Sequence, residues 1–240
     1  LNAHGLSDLQ INKIWSGIDK DYFSRFSVDD SIWHTLSISS CSNEDMPMVL
    51  IRPQTQRGGA EIFVYSQDQR GMFAVCTATL DQLGLNILDA RIITTDKNIA
   101  LVSFHVLESN GEPIPDLSRE QSIANTLRQN ILNPEDTSLS VDRHKSRQTK
   151  HFDTETTVTF STEPNNRYTI MEIVTHDKPG VLSTIGECFS MCDINIRNAK
   201  VATIGSQAED IFFISDSDGK PITDQAVLKK LEALLIERLI

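Results

Sequence analysis

An internal repeat is the feature of this 240-residue chain that most constrains its fold. The stretch from Ile170 to Val201 reads as a short strand, a tight turn, an amphipathic helix and a second strand. The same pattern occurs 109 residues earlier without a gap. The matching pairs are Asp177 with Asp68, Gly180 with Gly71, Asn195 with Asn86, and Phe213 with Phe104. A repeat at this spacing indicates two copies of one domain, because solenoid units are much shorter.

Each copy is predicted to have the element order ββαββα. The first helix of the second copy has an apolar face at helical spacing, formed by Leu182, Ile185, Phe189 and Cys192. Because this copy closes with a helix, its fourth strand is expected to be the first strand of its opening hairpin, Val158 to Phe160. The predicted fold class is therefore α+β, with two ferredoxin-like units that each have a four-stranded antiparallel sheet and two helices.

The strand after the first helix changes its pattern of alternation part-way along in both copies. In the first copy, apolar residues are odd-numbered before Leu88 and even-numbered after Asp89. One extra residue restores a consistent buried face, so we predict a β-bulge near Leu88-Asp89 and another near Arg197-Asn198.

The repeat also sets the predicted domain boundaries. Residues 47–135 form the first domain, residues 157–240 form the second, and residues 136–156 form a linker. Residues 1–46 read as short helices, with Ser7 and Ser27 as capping signals. This segment is too small for a core of its own, so we expect it to pack on the first repeat or on an upstream domain. We also expect the chain to be a piece of a longer protein.

Composition restricts the class of partner. The net charge of −11, from 22 basic and 33 acidic residues, argues against a nucleic-acid surface and favours small molecules or proteins. The basic run from Arg143 to Arg147 is expected to be a solvated part of the linker. We expect no signal peptide, and the sequence has no apolar run long enough to span a membrane. The cysteines Cys41, Cys76, Cys188 and Cys192 lack CxxC spacing, so we expect reduced thiols and a cytoplasmic protein.

The turn of the second copy is the main candidate site. It comprises Asp177, Lys178, Pro179 and Gly180, followed by Val181 and Leu182 at the start of the helix. Asp177 is expected at the helix N-cap and Pro179 in the first helical turn. In one interpretation these residues only shape the turn. In the other, helix N–H groups hold a ligand carboxylate, Asp177 accepts from the ligand's amino group, and Gly180 allows close backbone approach.

The first copy departs from this pattern. Asp68 and Gly71 occupy the equivalent positions, but Gln69 and Arg70 replace the Lys-Pro pair. The site of the first copy is therefore expected to be altered or empty.

An asparagine lies inside a predicted strand in both copies. Asn195 and Asn86 have apolar neighbours, at positions where asparagine is disfavoured. Either the amide satisfies local backbone groups, or it binds the carboxylate and ammonium groups of a ligand. If two units join edge to edge, within one chain or between chains, we expect a ligand to bridge Gly180 of one unit and an asparagine of the other.

Several motifs together resemble those of tandem ACT domains, which are regulatory modules that bind amino acids. The motifs are Tyr22-Phe23-Ser24-Arg25-Phe26-Ser27, Trp33-His34-Thr35, Asn166-Arg167-Tyr168-Thr169, Asp177-Lys178-Pro179-Gly180 and Glu209-Asp210-Ile211-Phe212-Phe213. Over nearly its whole length the chain is similar to the C-terminal region of the bifunctional uridylyltransferase/uridylyl-removing enzymes. These bacterial enzymes modify the PII nitrogen-signalling protein.

The resemblance implies that the two ACT domains sense glutamine as an allosteric ligand and set the balance between attaching and removing UMP. It implies PII and upstream catalytic domains of the same polypeptide as partners, with Mg²⁺ in those domains and no cofactor in this chain. Neither a nucleotidyltransferase motif nor a complete HD hydrolase motif occurs here. His176-Asp177 spells HD, but the first copy has Gln67 in place of the histidine. No catalytic or metal-binding residue is therefore assigned.

Three other functions stay open at this point. A ligand-free module could dock the catalytic domains and PII, and it would bind no amino acid in calorimetry. An acylphosphatase-like enzyme would need an anion-binding arginine in the turn, and only Arg70 is available, in one copy. RNA binding is least favoured, because the chain is acidic and lacks paired strand aromatics.

Overall fold

The computed structural model describes residues 5–18, 22–23, 26–95, 97–136, 155–161 and 167–239. Most of the predicted linker, including its basic run, lies outside these residues, as do parts of the motifs at 22–27 and 166–169. We call residues 47–135 the first repeat and residues 157–239 the second repeat. None of the helices in the described ranges is long and apolar enough to cross a membrane.

The described residues form nine strands and six α-helices. The strands are β1 Met48–Arg52, β2 Ala60–Gln67, β3 Leu85–Thr94, β4 Ile99–Glu108, β5 Thr157–Ser161, β6 Thr169–His176, β7 Asn195–Lys200, β8 Thr203–Ile204 and β9 Gln207–Ser215. The helices are α1 Asp8–Trp15, α2 Val28–Ser39, α3 Met72–Gln82, α4 Leu117–Leu132, α5 Val181–Met191 and α6 Gln225–Leu239. Both repeats therefore have the predicted order ββαββα, with the short β8 added in the second.

The strands form one antiparallel sheet in the order β1-β2-β4-β3-β7-β9-β6-β5, with β8 paired to β9. The prediction for the hairpin strands is confirmed, because β1 pairs with β2 and β5 with β6 at the outer edges. Both predicted bulges are also confirmed. The register shifts between Ile87 and Asp89 in β3 and between Ile196 and Asn198 in β7.

The two repeats join edge to edge through β3 and β7. Arg91 lies opposite Lys200, and Ile93 lies opposite Asn198, in antiparallel register. The four-stranded halves are thus parts of one continuous sheet.

Strand pairing corrects one match of the ungapped repeat. Ala90 lies opposite Phe104, whereas Ala199, its counterpart, lies opposite Phe212. Phe104 therefore corresponds to Phe212 and not to Phe213, so the offset falls from 109 to 108 after this point. The cause is the hairpin between β3 and β4, which is one residue longer than its counterpart.

One hydrophobic core extends through both repeats on the face covered by α3, α4, α5 and α6. Leu182 and Phe189, predicted to be buried between helix and sheet, are 8% and 1% exposed. The rings of Phe73 and Phe212, one from each repeat, are 6.0 Å apart. The repeats therefore share apolar contacts as well as strand pairing.

The N-terminal helices pack on the opposite face of the first repeat, which is one of the two expected positions. α1 and α2 begin at the capping residues Ser7 and Ser27, as predicted. The buried apolar residues of this second cluster are Tyr22, Phe26, Ile38, Phe63, Ile93 and Leu101. Because side chains alternate along a strand, Ile93 faces these helices while its neighbour Ile92 faces the main core.

A buried polar network centred on Glu61 ties α2 to the sheet. The Glu61 carboxylate accepts from His34 Nε2 at 3.1 Å, Ser103 Oγ at 2.6 Å and Arg52 at 2.5 Å. Tyr22 Oη lies 2.5 Å from His34 Nδ1. Burial alone would raise the pKa of Glu61, but His34, Ser103 and Arg52 lower it to about 2. The network therefore holds an ionised carboxylate inside the protein.

Candidate ligand pockets at the junction of the repeats

Two of the cavities where the repeats meet combine the turn of one repeat with the asparagine strand of the other. The first-turn pocket, about 140 Å³, is lined by Asp68, Arg70 and Gly71 together with Asn195 and Arg197. The second-turn pocket, about 220 Å³, is lined by Asp177, Lys178, Pro179, Val181 and Leu182 together with Asn86. Both are many times larger than the ~10–15 Å³ that one water needs.

The turns differ from the sequence prediction in one respect: the N-caps are the glycines. Gly71 and Gly180 have φ angles of 77° and 87°, in the left-handed region that favours glycine. Asp177 is therefore not the N-cap and Pro179 precedes the helix, so both predictions were wrong. The backbone N–H of Asp177 instead donates to Ser206, as that of Asp68 donates to Asn98.

The two asparagines share a contact within their own repeats. Asn195 Nδ2 donates to the carbonyl of Asp216 at 3.2 Å, and Asn86 Nδ2 is 3.5 Å from the carbonyl of Glu108. Part of each amide is thus used locally, as one interpretation predicts. Both asparagines also line a pocket, so binding of a ligand by their side-chain amides stays a prediction.

The start of α5 is occupied by a carboxylate from the first repeat. Gly180 N–H donates to Asp81 Oδ2 at 2.9 Å, and Gly180 itself does not line the second-turn pocket. Ser190 of α5 corresponds to Asp81 of α3 in the repeat, and it lies near Gly71. Its Oγ lies 3.4 Å from the place that a Cβ on Gly71 would take. The two pockets therefore differ in charge at the helix N-terminus.

Arginines make the first-turn pocket the more basic of the two. Arg70 pairs with Asp193 across the junction at 2.6 Å and also donates to the carbonyl of Ser190. Arg197 donates to Ser215 Oγ at 3.0 Å. Burial raises the pKa of Asp68, although the charge of Arg197 opposes the shift. The pocket thus offers positive charge and a helix N-terminus beside one carboxyl group.

The second-turn pocket contains three acidic residues, two of which sequence reasoning missed. Asp81 and Asp210 line it beside Asp177. Burial raises the pKa of Asp177, with His176 opposing the shift. Burial raises the pKa of Asp210 to about 7, against a backbone hydrogen bond from Ala202 and with a contribution from Asp177. The available signal for Asp210 was its position directly before the apolar run Ile211-Phe212-Phe213, within a strand.

Neither pocket has the donor set of a metal site. Within the described ranges, no group of three or more His, Cys, Asp or Glu side chains is placed to hold a metal ion. The four cysteines are free thiols, and burial raises the pKa of Cys76 to about 12 and that of Cys188 to about 11.

Comparison with known proteins finds relatives that match this chain over its whole length. Residues 1–37 match the model of the fifth domain of uridylyltransferase GlnD. The bifunctional uridylyltransferase/uridylyl-removing enzyme of Methylococcus capsulatus is 40% identical over 99% of this chain and 27% of its own length. Those of Stutzerimonas stutzeri and Pseudomonas aeruginosa are 38% and 37% identical over 100% of this chain and 27% of their lengths.

The chain is homologous to the C-terminal region of the bifunctional uridylyltransferase/uridylyl-removing enzymes. The predicted resemblance to the C-terminal region of these enzymes is thereby confirmed. The chain spans about a quarter of the length of these uridylyltransferase/uridylyl-removing enzymes.

Proposed function

We propose that this chain is a glutamine-sensing regulatory region made of two ACT-like domains, residues 47–135 and 157–240. It acts within a bacterial, cytoplasmic PII uridylyltransferase/uridylyl-removing enzyme. Catalytic domains elsewhere in that polypeptide, with Mg²⁺ at their sites, attach UMP to PII and remove it. Glutamine bound at the junction of the repeats sets the balance between the two reactions.

The observation that carries this proposal is that the junction of the repeats contains two pockets of matching design. Each pocket combines a glycine turn from one repeat with an asparagine strand from the other. A ligand in such a pocket contacts both repeats, so its binding energy depends on how they are placed relative to each other. This is the property that a regulatory site needs.

The first-turn pocket fits an amino acid better than the second. The first turn of α3 presents N–H groups that have no partner within the helix, and Arg70 and Arg197 add positive charge. These groups suit the α-carboxylate, while Asp68 and the Asn195 carbonyl oxygen suit the ammonium group. In the second-turn pocket, the Asp81 carboxylate already occupies the N–H of Gly180.

The strand β3 offers a route from this pocket to the rest of the enzyme. Ile92 lines the first-turn pocket, and the next residue, Ile93, packs beneath the N-terminal helices. A shift of β3 on glutamine binding therefore changes the packing of α2. The N-terminal segment, which matches the fifth-domain model, then passes the change toward the catalytic domains.

Calorimetric titration of the 240-residue chain with glutamine tests the proposal. We expect one glutamine per chain, bound in the first-turn pocket. Asn195→Ala should weaken binding about tenfold or more, because an unpaired buried ligand group costs about 1–3 kcal/mol. Asn86→Ala should have a smaller effect.

Position 190 gives a matched pair of variants. Ser190→Asp should abolish binding by placing a carboxylate at the start of α3, as Asp81 does at α5, whereas Ser190→Ala should bind glutamine within a few-fold of the parent. Absence of binding to the parent chain would favour the alternative, a ligand-free module that docks the catalytic domains and PII. Parent-like binding by both Asn195→Ala and Ser190→Asp would refute the site assignment.

A further inference from the structure

Asp210 occupies a strand position that does not need an acid for folding. In the first repeat the residue at this place is Val102, because Val64 lies opposite Val102 just as Ile173 lies opposite Asp210. Val102 lines the first-turn pocket and Asp210 the second-turn pocket. The same fold is thus built with a valine in one repeat and an aspartate in the other.

One oxygen of the Asp210 carboxyl group has no hydrogen-bond partner. The residue is 1% exposed, and its Oδ1 accepts from the backbone N–H of Ala202 at 3.2 Å. Its Oδ2 is buried and unpaired. Protonation does not remove the deficit, because a buried hydroxyl of a carboxylic acid needs an acceptor. The missing partner is therefore best supplied by a ligand in the pocket.

The groups around Asp210 Oδ2 favour a positively charged ligand. Asp177 and Asp81 line the same cavity, so three carboxyl groups face one cavity of about 220 Å³. The cation among the described lining residues is Lys178, whose Nζ donates to the carbonyl of Leu239 at the end of α6. Together these groups leave the cavity with an excess of negative charge.

The other residues that line the second-turn pocket favour a ligand with an alkyl chain. The apolar residues among them include Ile87, Leu88, Pro179, Val181, Leu182 and Val201. A bare inorganic cation gains nothing from such a wall, and the carboxylates are not arranged as a metal-ligand cluster. An ammonium group donates three hydrogen bonds, and an attached alkyl chain buries apolar surface.

We propose that the second-turn pocket binds a primary alkylammonium group, with Asp210 Oδ2 and Asp177 as its hydrogen-bond acceptors. The site is separate from the glutamine pocket and does not depend on the proposed function. It differs from that pocket because Asp81 excludes a carboxylate from the start of α5. Its ligand is therefore a short aliphatic amine rather than a zwitterionic amino acid.

Titration with propylammonium chloride at neutral pH and constant ionic strength tests this site. Calorimetry and thermal melts of the 240-residue chain should show saturable binding and a rise in melting temperature. Ammonium chloride lacks the chain and propan-1-ol lacks the charge, so each should bind at least tenfold more weakly. Asp210→Asn keeps an acceptor for Ala202 but removes the charge, and it should weaken propylammonium binding at least tenfold.

Glu187→Gln is the control, because it removes one negative charge from α5 outside both pockets. It should bind propylammonium as the parent does.

If Asp210→Asn does not fold, Asp177→Asn carries the same test. The proposal is overturned if the parent shows no saturable binding, if ammonium chloride or propanol binds equally well, or if the Asp variant that folds binds like the parent. Glutamine binding should be unchanged within about twofold in Asp210→Asn, so failure here is distinguishable from failure of the glutamine proposal.

Discussion

The buried carboxyl group of Asp210 imposes a cost on folding that depends on pH. Its pKa is raised from 3.8 to about 7, mainly by burial, so the folded chain binds this proton more tightly than the unfolded chain. The free energy of unfolding therefore has its full value, with respect to this group, below about pH 4. The free energy of unfolding declines as the pH rises from about 4 through about 7. In this range the carboxyl group is ionised in the unfolded chain but still protonated in the folded chain.

Replacing this aspartate should therefore stabilise the ligand-free chain at high pH. We expect Asp210→Asn to raise the free energy of unfolding by about 1–3 kcal/mol at pH 8 and to give no gain at pH 3. This is less than the roughly 4 kcal/mol implied by the shift in pKa, because the buried amide also lacks a partner. Urea unfolding of parent and variant across this pH range checks the prediction. A difference that is constant with pH would show that Asp210 is ionised normally in the folded chain.

At the scale of elements, the crossing of α3 and α5 fixes the junction. A Cβ on Gly186 of α5 would lie 2.8 Å from the Cβ and 2.9 Å from the Cα and N of Ala74 on α3. These neighbours are mostly backbone, which cannot move without moving the helix. The absence of a side chain at Gly186 therefore allows the helices to approach, and the helices in turn place both turns beside the opposite strands.

Gly186→Ala should destabilise the chain although alanine is the better helix former. Helix propensity alone would favour the variant by about 1 kcal/mol, whereas overpacking typically costs about 1–3 kcal/mol. We expect a net loss of up to about 2 kcal/mol in urea unfolding and weaker glutamine binding. Ser122→Ala, at an exposed site on α4, is the control for propensity and should be neutral or slightly stabilising. A more stable Gly186→Ala chain would contradict the close crossing.

At the scale of the whole molecule, the repeats behave as one structural unit. The sheet is continuous through β3 and β7, and the buried cluster includes residues of both repeats. Phe212 contacts Phe189 of its own repeat at 5.2 Å between ring centroids and Phe73 of the other at 6.0 Å. Neither repeat therefore buries its apolar surface fully without the other.

The chain should consequently unfold in a single cooperative transition. Phe189→Ala, which removes a ring that is 1% exposed, should cost about 3–5 kcal/mol and shift the whole transition. Differential scanning calorimetry checks this expectation, as does urea unfolding monitored by hydrogen exchange of the amides in both repeats. Separate transitions, with only the second repeat affected by the variant, would show that the units fold independently.

The sequence by itself determined the order of the elements, the outer hairpin strands and both bulges. These features depend on which face each residue presents, and periodicity along the chain records that directly. It also indicated that each turn would meet an asparagine strand if two units joined edge to edge, within one chain or between chains, because exposed strand edges favour pairing. That the two repeats of one chain pair in this way was decided by the tertiary structure. Periodicity does not record backbone dihedrals, so the assignment of Asp177 as the N-cap was wrong.

Only the tertiary structure decided how the two pockets differ. Asp81 and Gly180 are 99 residues apart, and Asp210 matches Val102 only after strand pairing has set the offset to 108. The missing proline of the first copy suggested the weaker site, yet Gly71 and Gly180 have nearly the same conformation. What distinguishes the pockets is the charge that α3 and α5 bring to each helix start. That charge depends on contacts between residues distant in sequence, which no local pattern encodes.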